Sequence, residues 1–197
     1  MSWRSIVLAA LICIVAGCIS SRVRHVYALN DAMDTSLDTK ATAGRPELQL
    51  QRVLVPEYRD TTDILLRVGA HEIHESSSGH WSERLSLGIR NALRADLAVR
   101  LPRDAITLTE PAEKSTRQIR VNVDAFDVWP NGHCVLVANW TILDTDHRAV
   151  VSTGRGTFMT APVGSGNWRD GEVVSAMADA VEQLAESIAL AAKALPP

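Results

Sequence analysis

Apolar and polar residues alternate over long spans in the second half of this chain. From Arg117 to Trp129, Ile119, Val121, Val123 and Ala125 fall on one side and Arg120, Asn122 and Asp124 on the other. A period of two marks a half-buried strand, because successive side chains of an extended backbone point to opposite faces. Pro130-Asn131-Gly132 is a turn signal, and Cys134 to Leu143 returns as an apolar strand. Asp144-Thr145-Asp146-His147 makes a second turn, and Val150 to Thr160 completes an antiparallel meander. Shorter strand-like runs occupy Val23 to Leu29, Glu47 to Val55 before Pro56, Ile64 to Val68, and Ile106 to Thr109. Asn30 to Pro46 has no apolar period and reads as a loop, and Glu75-Ser76-Ser77-Ser78-Gly79 reads as a polar turn.

Two segments change the period from two to nearly four. Trp81, Leu85, Ile89, Leu93 and Leu97 form one stripe, opposed by Glu83, Arg84, Arg90, Arg94 and Arg100 and stopped by Pro102. Ser78 and Ser82 are the alternative caps at its start. Near the end, Met177, Val181, Leu184, Ile188, Ala191 and Leu195 form a second stripe, entered through Asn167-Trp168-Arg169-Asp170. A helix with one apolar face must bury it, so each is expected to cover a sheet from one side. Early strands join through a helix and late ones through hairpins, which requires parallel and antiparallel pairs together. The expected fold is therefore α/β and a single domain, with a mixed sheet of about five to seven strands and two long helices.

The N-terminus follows another logic. Arg4 precedes an uncharged run from Ile6 to Ile19, about 21 Å long as a helix at ~1.5 Å per residue. A hydrocarbon core is ~30 Å thick, so this run has the length of a secretory signal and not of a membrane span. It closes on Val15-Ala16-Gly17-Cys18, small residues followed by a thiol, which resembles the bacterial lipobox. There cleavage occurs before the cysteine, and its sulfur, the soft nucleophile of the segment, receives diacylglycerol. Residues 1–17 are thus expected to be removed as a signal peptide, Cys18 to be lipidated, and residues 18–24 to form a short tether. The folded domain, 25–195, would sit close to its membrane.

Composition narrows the function classes. The chain is 46% hydrophobic and 22% charged, ordinary for a globular protein, with a net charge of −3. Loss of Arg4 makes the mature chain more negative, and the absence of a Lys/Arg cluster argues against nucleic acid. With Cys18 acylated and Cys13 removed, Cys134 is the sole remaining thiol, set among Val135, Leu136 and Val137 as a small buried hydrophobe. His25, His71, His74, His80, His133 and His147 are dispersed, and His71 and His74 fall on opposite sides of an extended segment. Asp144 and Asp146 lack the alternating ligands and late Glu of a calcium loop. Neither glycine pair, Gly154/Gly156 or Gly164/Gly166, leads from strand into helix as a phosphate cradle does. These features imply no catalytic cluster, no metal and no cofactor. Trp81 and Trp140 are expected in the core, and Trp168, in a Gly-rich loop, is a candidate partner contact.

Several motifs in order carry a family resemblance. Val55-Pro56-Glu57-Tyr58, Asp60, Ile64-Leu65-Leu66-Arg67 and Trp81-Ser82-Glu83-Arg84-Leu85, then Trp140 within a strand and Gly154 to Phe158 in the next, resemble the ABC-type transport auxiliary lipoproteins. This PqiC-like group partners MCE-type lipid-transport complexes. The resemblance spans about Val26 to Leu190 and departs in the long loop from Asn30 to Pro46 and in Arg84, where a proline is common. It implies a domain of the anticodon-binding or TolB-N-terminal type, held by lipid at the periplasmic face of the outer membrane of a Gram-negative envelope. It also implies a non-catalytic role beside an MCE-type periplasmic protein with its permease and ATPase, with Tyr58 joining Trp168 as a possible partner contact. Ile19, and not the Asp that retains such proteins at the inner membrane, follows Cys18. A ring of copies would suit docking on a tubular partner, although no heptad seam predicts a homo-oligomer. The alternative is a periplasmic lipid carrier with its own apolar pocket.

Overall fold

The computed structural model describes residues 24–30, 45–108, 117–161 and 169–195. The expected signal peptide, Cys18, most of the Asn30–Pro46 stretch and Trp168 lie outside the described residues. The described residues form β1 (His25–Tyr27), β2 (Glu47–Leu50), β3 (Asp63–Arg67), β4 (Ile73–Trp81), α1 (Leu85–Arg100), β5 (Ala105–Thr107), β6 (Arg117–Val128), β7 (Cys134–Asp144), β8 (Ala149–Met159) and α2 (Asp170–Lys193). The α/β architecture with two long helices agrees with the expectation, and the strands are shared between two mixed sheets. One has the order β1-β4-β3 and the other β5-β2-β6-β7-β8. β2 is parallel to both β5 and β6, whereas β6, β7 and β8 form the expected antiparallel meander. Pro56 explains the division. It has no N–H to continue a ladder, and the 3-10 turn at Glu57–Arg59 sends the chain out of the larger sheet into β3.

The core lies between the five-stranded sheet and the helices. Cys134, Leu136, Ala138, Trp140 and Ile142 of β7 are buried, alternating with half-buried residues. Above them, Val173, Met177, Val181, Leu184 and Ile188 of α2 are buried. Ala176, Ala180, Ala185 and Ala189 on the same face let the helix approach closely. Leu85, Ile89, Leu93 and Leu97 of α1 join the same cluster. Full burial of each large aliphatic side chain contributes about 1.5–3 kcal/mol, so this layer dominates the stability.

Several local expectations are corrected. Glu75–Gly79 is not a turn but the middle of β4, paired with β3 on one side and β1 on the other. Its polar residues have a tertiary use, since Ser76 and Ser78 each donate a hydroxyl hydrogen bond to Asp170 at 2.7 Å. Trp81 ends β4 instead of opening α1, although it is buried with the core as expected. Neither Ser78 nor Ser82 caps α1. Arg84 stands at the cap position without a side-chain bond, and the Asp60 carboxylate accepts the Ser86 amide at 3.0 Å in its place. β2 stops at Leu50, short of Val55, and Leu54 returns to β6 as an isolated bridge with Asn122. A register shift between Val123 and Ala125 inserts Asp124 as an extra residue. Ala125 is therefore half-buried, while Phe126 and Val128 take over the inward face.

The meander depends on close aromatic-to-glycine packing. Gly154 lies opposite Trp140, and a Cβ placed on Gly154 would clash with the indole ring. Gly154→Ala is expected to lower stability by about 1–3 kcal/mol through overpacking. At Gly69 a Cβ would meet no atom nearer than 3.7 Å, so Gly69→Ala should change stability by no more than about 0.5 kcal/mol. Urea unfolding of the two variants measures the difference.

Candidate docking surface

Both helices lie on one side of the five-stranded sheet, and among the described residues the opposite side is polar and open. Arg120, Asn122, Asp124, Thr153, Arg155 and Thr157 are exposed along it, with Asn139 and Thr141 half-buried between them. Their cross-strand positions let short bonds form. Gln51 donates to Gln118 at 2.7 Å, and Arg120 donates to Gln51 at 2.7 Å. Asp124 accepts from Asn122 at 3.2 Å, from Asn139 at 3.3 Å and from Arg155 at 3.1 Å. β8 forms the margin of this sheet, and Val150, Val151 and Met159 are exposed along it. A long edge strand with exposed apolar residues is a surface that another chain can pair with or cover.

One corner of the open face is closed by charge. Asp127 follows Phe126 in β6, and Arg59 from the 3-10 turn forms an ion pair with it while only 2% of Arg59 is exposed. Arg67 of β3 approaches the same carboxylate at 3.3 Å, and its guanidinium lies 5.0 Å from the Trp129 ring centroid. Arg59 also donates to the Leu65 carbonyl at 3.0 Å. Burial lowers the Arg59 pKa, and Tyr58 opposes that effect. Asp127 and its two arginines escaped the sequence reading because the partners lie far apart in the chain. The available signal was a lone acid in the apolar run from Phe126 to Trp129.

Tyr58 sits on the turn at this corner, 51% exposed, with the Arg59 guanidinium 5.4 Å from its ring centroid. The histidines remain separate: His74 contacts Glu72, His133 contacts the Thr160 carbonyl, and His147 contacts Asp144. The Asp144 carboxylate also accepts the Asp146 and His147 amides, so the hairpin turn itself uses the group considered for calcium. Among the described residues, no group of three or more His, Cys, Asp or Glu is placed to hold a metal ion. Burial pushes the Cys134 thiol up to about 12, with Arg59 opposing, which suppresses the reactive thiolate.

Asp127→Ala leaves Arg59 and Arg67 without their carboxylate and is expected to cost about 3–5 kcal/mol in urea unfolding. Arg155→Ala, at the exposed pair with Asp124, should cost less than about 1 kcal/mol. In a variant lacking Cys13 and Cys18, iodoacetamide at pH 8 should leave native Cys134 unmodified. Mass spectrometry should find complete modification once the protein is unfolded.

Comparison with known proteins agrees with this architecture. The family described as ABC-type transport auxiliary lipoprotein component matches residues 27–189. A crystal structure of an uncharacterized protein superposes with a TM-score of 0.66 at 18% identity, covering 85% of this chain and 97% of that one. Protein XCC0632 from Xanthomonas campestris gives a TM-score of 0.61 at 15% identity, covering 85% of this chain and 91% of that one. At these identities the structures show a shared fold. No curated protein matches the sequence significantly. With its two helices over a mixed sheet and a family match across nearly the whole described domain, the chain belongs to the ABC-type transport auxiliary lipoprotein component family.

Proposed function

We propose that this chain is a non-catalytic, lipid-anchored docking component of an MCE-type phospholipid transport system, held at the periplasmic face of the outer membrane. The observation that carries this reading is an open sheet face and long edge strand in a domain whose family is an auxiliary transport component. A docking module needs a rigid surface, and here α2 and α1 stiffen the sheet from behind while leaving its front free. Cys18 supplies the anchor, with two or three acyl chains each contributing ~0.8 kcal/mol per buried CH₂. The tether from Cys18 to His25 extends no more than about 25 Å, which keeps β1 and the sheet it joins near the lipid. The apolar faces of α1, α2 and β7 meet in one contiguous core, which favours docking over carriage of lipid in an internal apolar pocket.

Co-purification of the mature protein with the cognate MCE-type protein is the expected result. Failure to associate, with the partner complex still assembled in cells lacking this chain, would overturn the docking role. Cys18→Ser is expected to abolish palmitate incorporation and move the protein from membrane to soluble periplasm without changing its thermal midpoint. Palmitate labelling that persists in the variant would remove Cys18 as the anchor.

A further inference from the structure

The open face contains a depression where β2 leaves the ladder. After Leu50 the backbone bows: Gln51 N still donates to Ile119 O at 2.9 Å, and Leu54 N regains Val121 O at 3.0 Å. Between them Val53 is buried and Arg52 is exposed. β5 follows β2 only as far as the Gln49–Thr107 pair. The result is a cavity of about 840 Å³ at the carboxyl end of β2, bordered by Gln49, Gln51, Arg52, Leu54, Arg90 and Arg120. Crevices beyond the carboxyl ends of parallel strands are where open α/β sheets lodge ligands.

Its charge is one-sided. Arg90 leaves the polar side of α1 and donates to the Leu50 carbonyl at 2.9 Å and to the Leu108 carbonyl, both neutral acceptors. Arg120 bonds to the neutral amide of Gln51. Among the described residues, neither these two arginines nor Arg52 forms an ion pair, and no Asp or Glu lines the cavity. The acids on the same face are engaged elsewhere: Asp124 by Arg155, Asn122 and Asn139, and Asp127 by Arg59 and Arg67. Burial lowers the Arg90 pKa, and the neighbouring Arg52 charge lowers it further. A bound anion would offset the Arg52 repulsion and favour the charged guanidinium.

A second feature selects among anions. Gln49 is only 7% exposed, and its buried side-chain carbonyl oxygen meets no donor among the described residues. A phosphate oxygen cannot satisfy it, whereas a hydroxyl or ammonium group can. The cavity is also far larger than one phosphate and lies within the ~300–1,000 Å³ typical of small-molecule sites. Leu54, 59% exposed, adds apolar surface at its edge. We propose that this depression binds the phosphate-bearing headgroup of a glycerophospholipid, with Arg52, Arg90 and Arg120 around the phosphate. Gln49 accepts a hydrogen bond from the headgroup hydroxyl or ammonium, and Leu54 lies against the glycerol and first acyl methylenes. The choice of a lipid as the phosphate source rests on the transport reading above, whereas the anion chemistry stands on the arginines.

Calorimetric titration of the full mature chain with dihexanoyl phosphatidylglycerol, below its micellar concentration, tests the site. Saturable binding is expected, weakened at least about tenfold in Arg52→Gln/Arg120→Gln through loss of charge-assisted hydrogen bonds. Arg52→Gln alone, at an exposed position, provides the same comparison if the double variant does not fold. Dihexanoyl glycerol, which lacks phosphate, should not bind. Undiminished affinity in the folded variants, equal binding of dihexanoyl glycerol, or no binding of the phospholipid overturns the proposal. Inorganic phosphate binding as tightly as the lipid also overturns it, in favour of a free-anion site. Saturable binding of an acidic peptide that the arginine substitutions weaken, while the phospholipid does not bind, overturns it in favour of a protein contact. Loss of lipid binding with partner co-purification intact removes this site and leaves the docking role standing.

Discussion

The packing of α2 against one face of β7 is the constraint on which the rest of the structure depends. Val173, Met177, Val181, Leu184 and Ile188 face Leu136, Ala138, Trp140 and Ile142 within a single core cluster. Because α2 and α1 both occupy that side, no helix among the described residues covers the other side of the five-stranded sheet. A strand alternates its side chains between faces, so burying one set obliges the other to be compatible with water. Arg120, Asn122, Asp124 and Arg155 meet that condition and make the open face both soluble and available.

Polar joints set how the second sheet sits on this layer. Ser76 and Ser78 of β4 hold the Asp170 carboxylate at the first turn of α2. A Cβ on Gly79 would lie 2.6 Å from that carboxylate, so the close approach needs glycine. On the other side, Arg59 and Arg67 bring β3 and its preceding turn to Asp127 of β6. Replacing a buried pair with apolar residues is often no less stable, so its value lies more in fixing orientation than in adding stability. Hydrophobic contact alone would leave the small sheet freer to slide, whereas these bonds admit one register.

Legibility in the sequence followed the range of the interactions. The β6–β8 meander and both helices were visible because their burial is periodic and their turns are local, as at Pro130-Asn131-Gly132 and Asp144–His147. β4 was not, because Glu75-Ser76-Ser77-Ser78-Gly79 has the composition of a turn. Its serines serve an acid far along the chain. The start of α1 was misplaced for the same reason, since its cap comes from Asp60 and not from a neighbouring serine. The bulge at Asp124 reversed the phase of β6, and no local residue type announces that change.

The sequence by itself determined the fold class and the apolar stripes, and it carries the lipobox-like motif Val15-Ala16-Gly17-Cys18, because periodicity and short motifs are properties of neighbouring residues. It also assigned the chain to its family through the order of weak motifs, with the family match extending over residues 27–189. Tertiary structure alone decided that the strands divide into two sheets and which sheet face stays open. It also brought Arg52, Arg90 and Arg120 around one cavity. Those outcomes depend on where an element ends up after Pro56 turns it away and α2 claims one surface. Such placement is set by packing between distant segments, which no local pattern encodes.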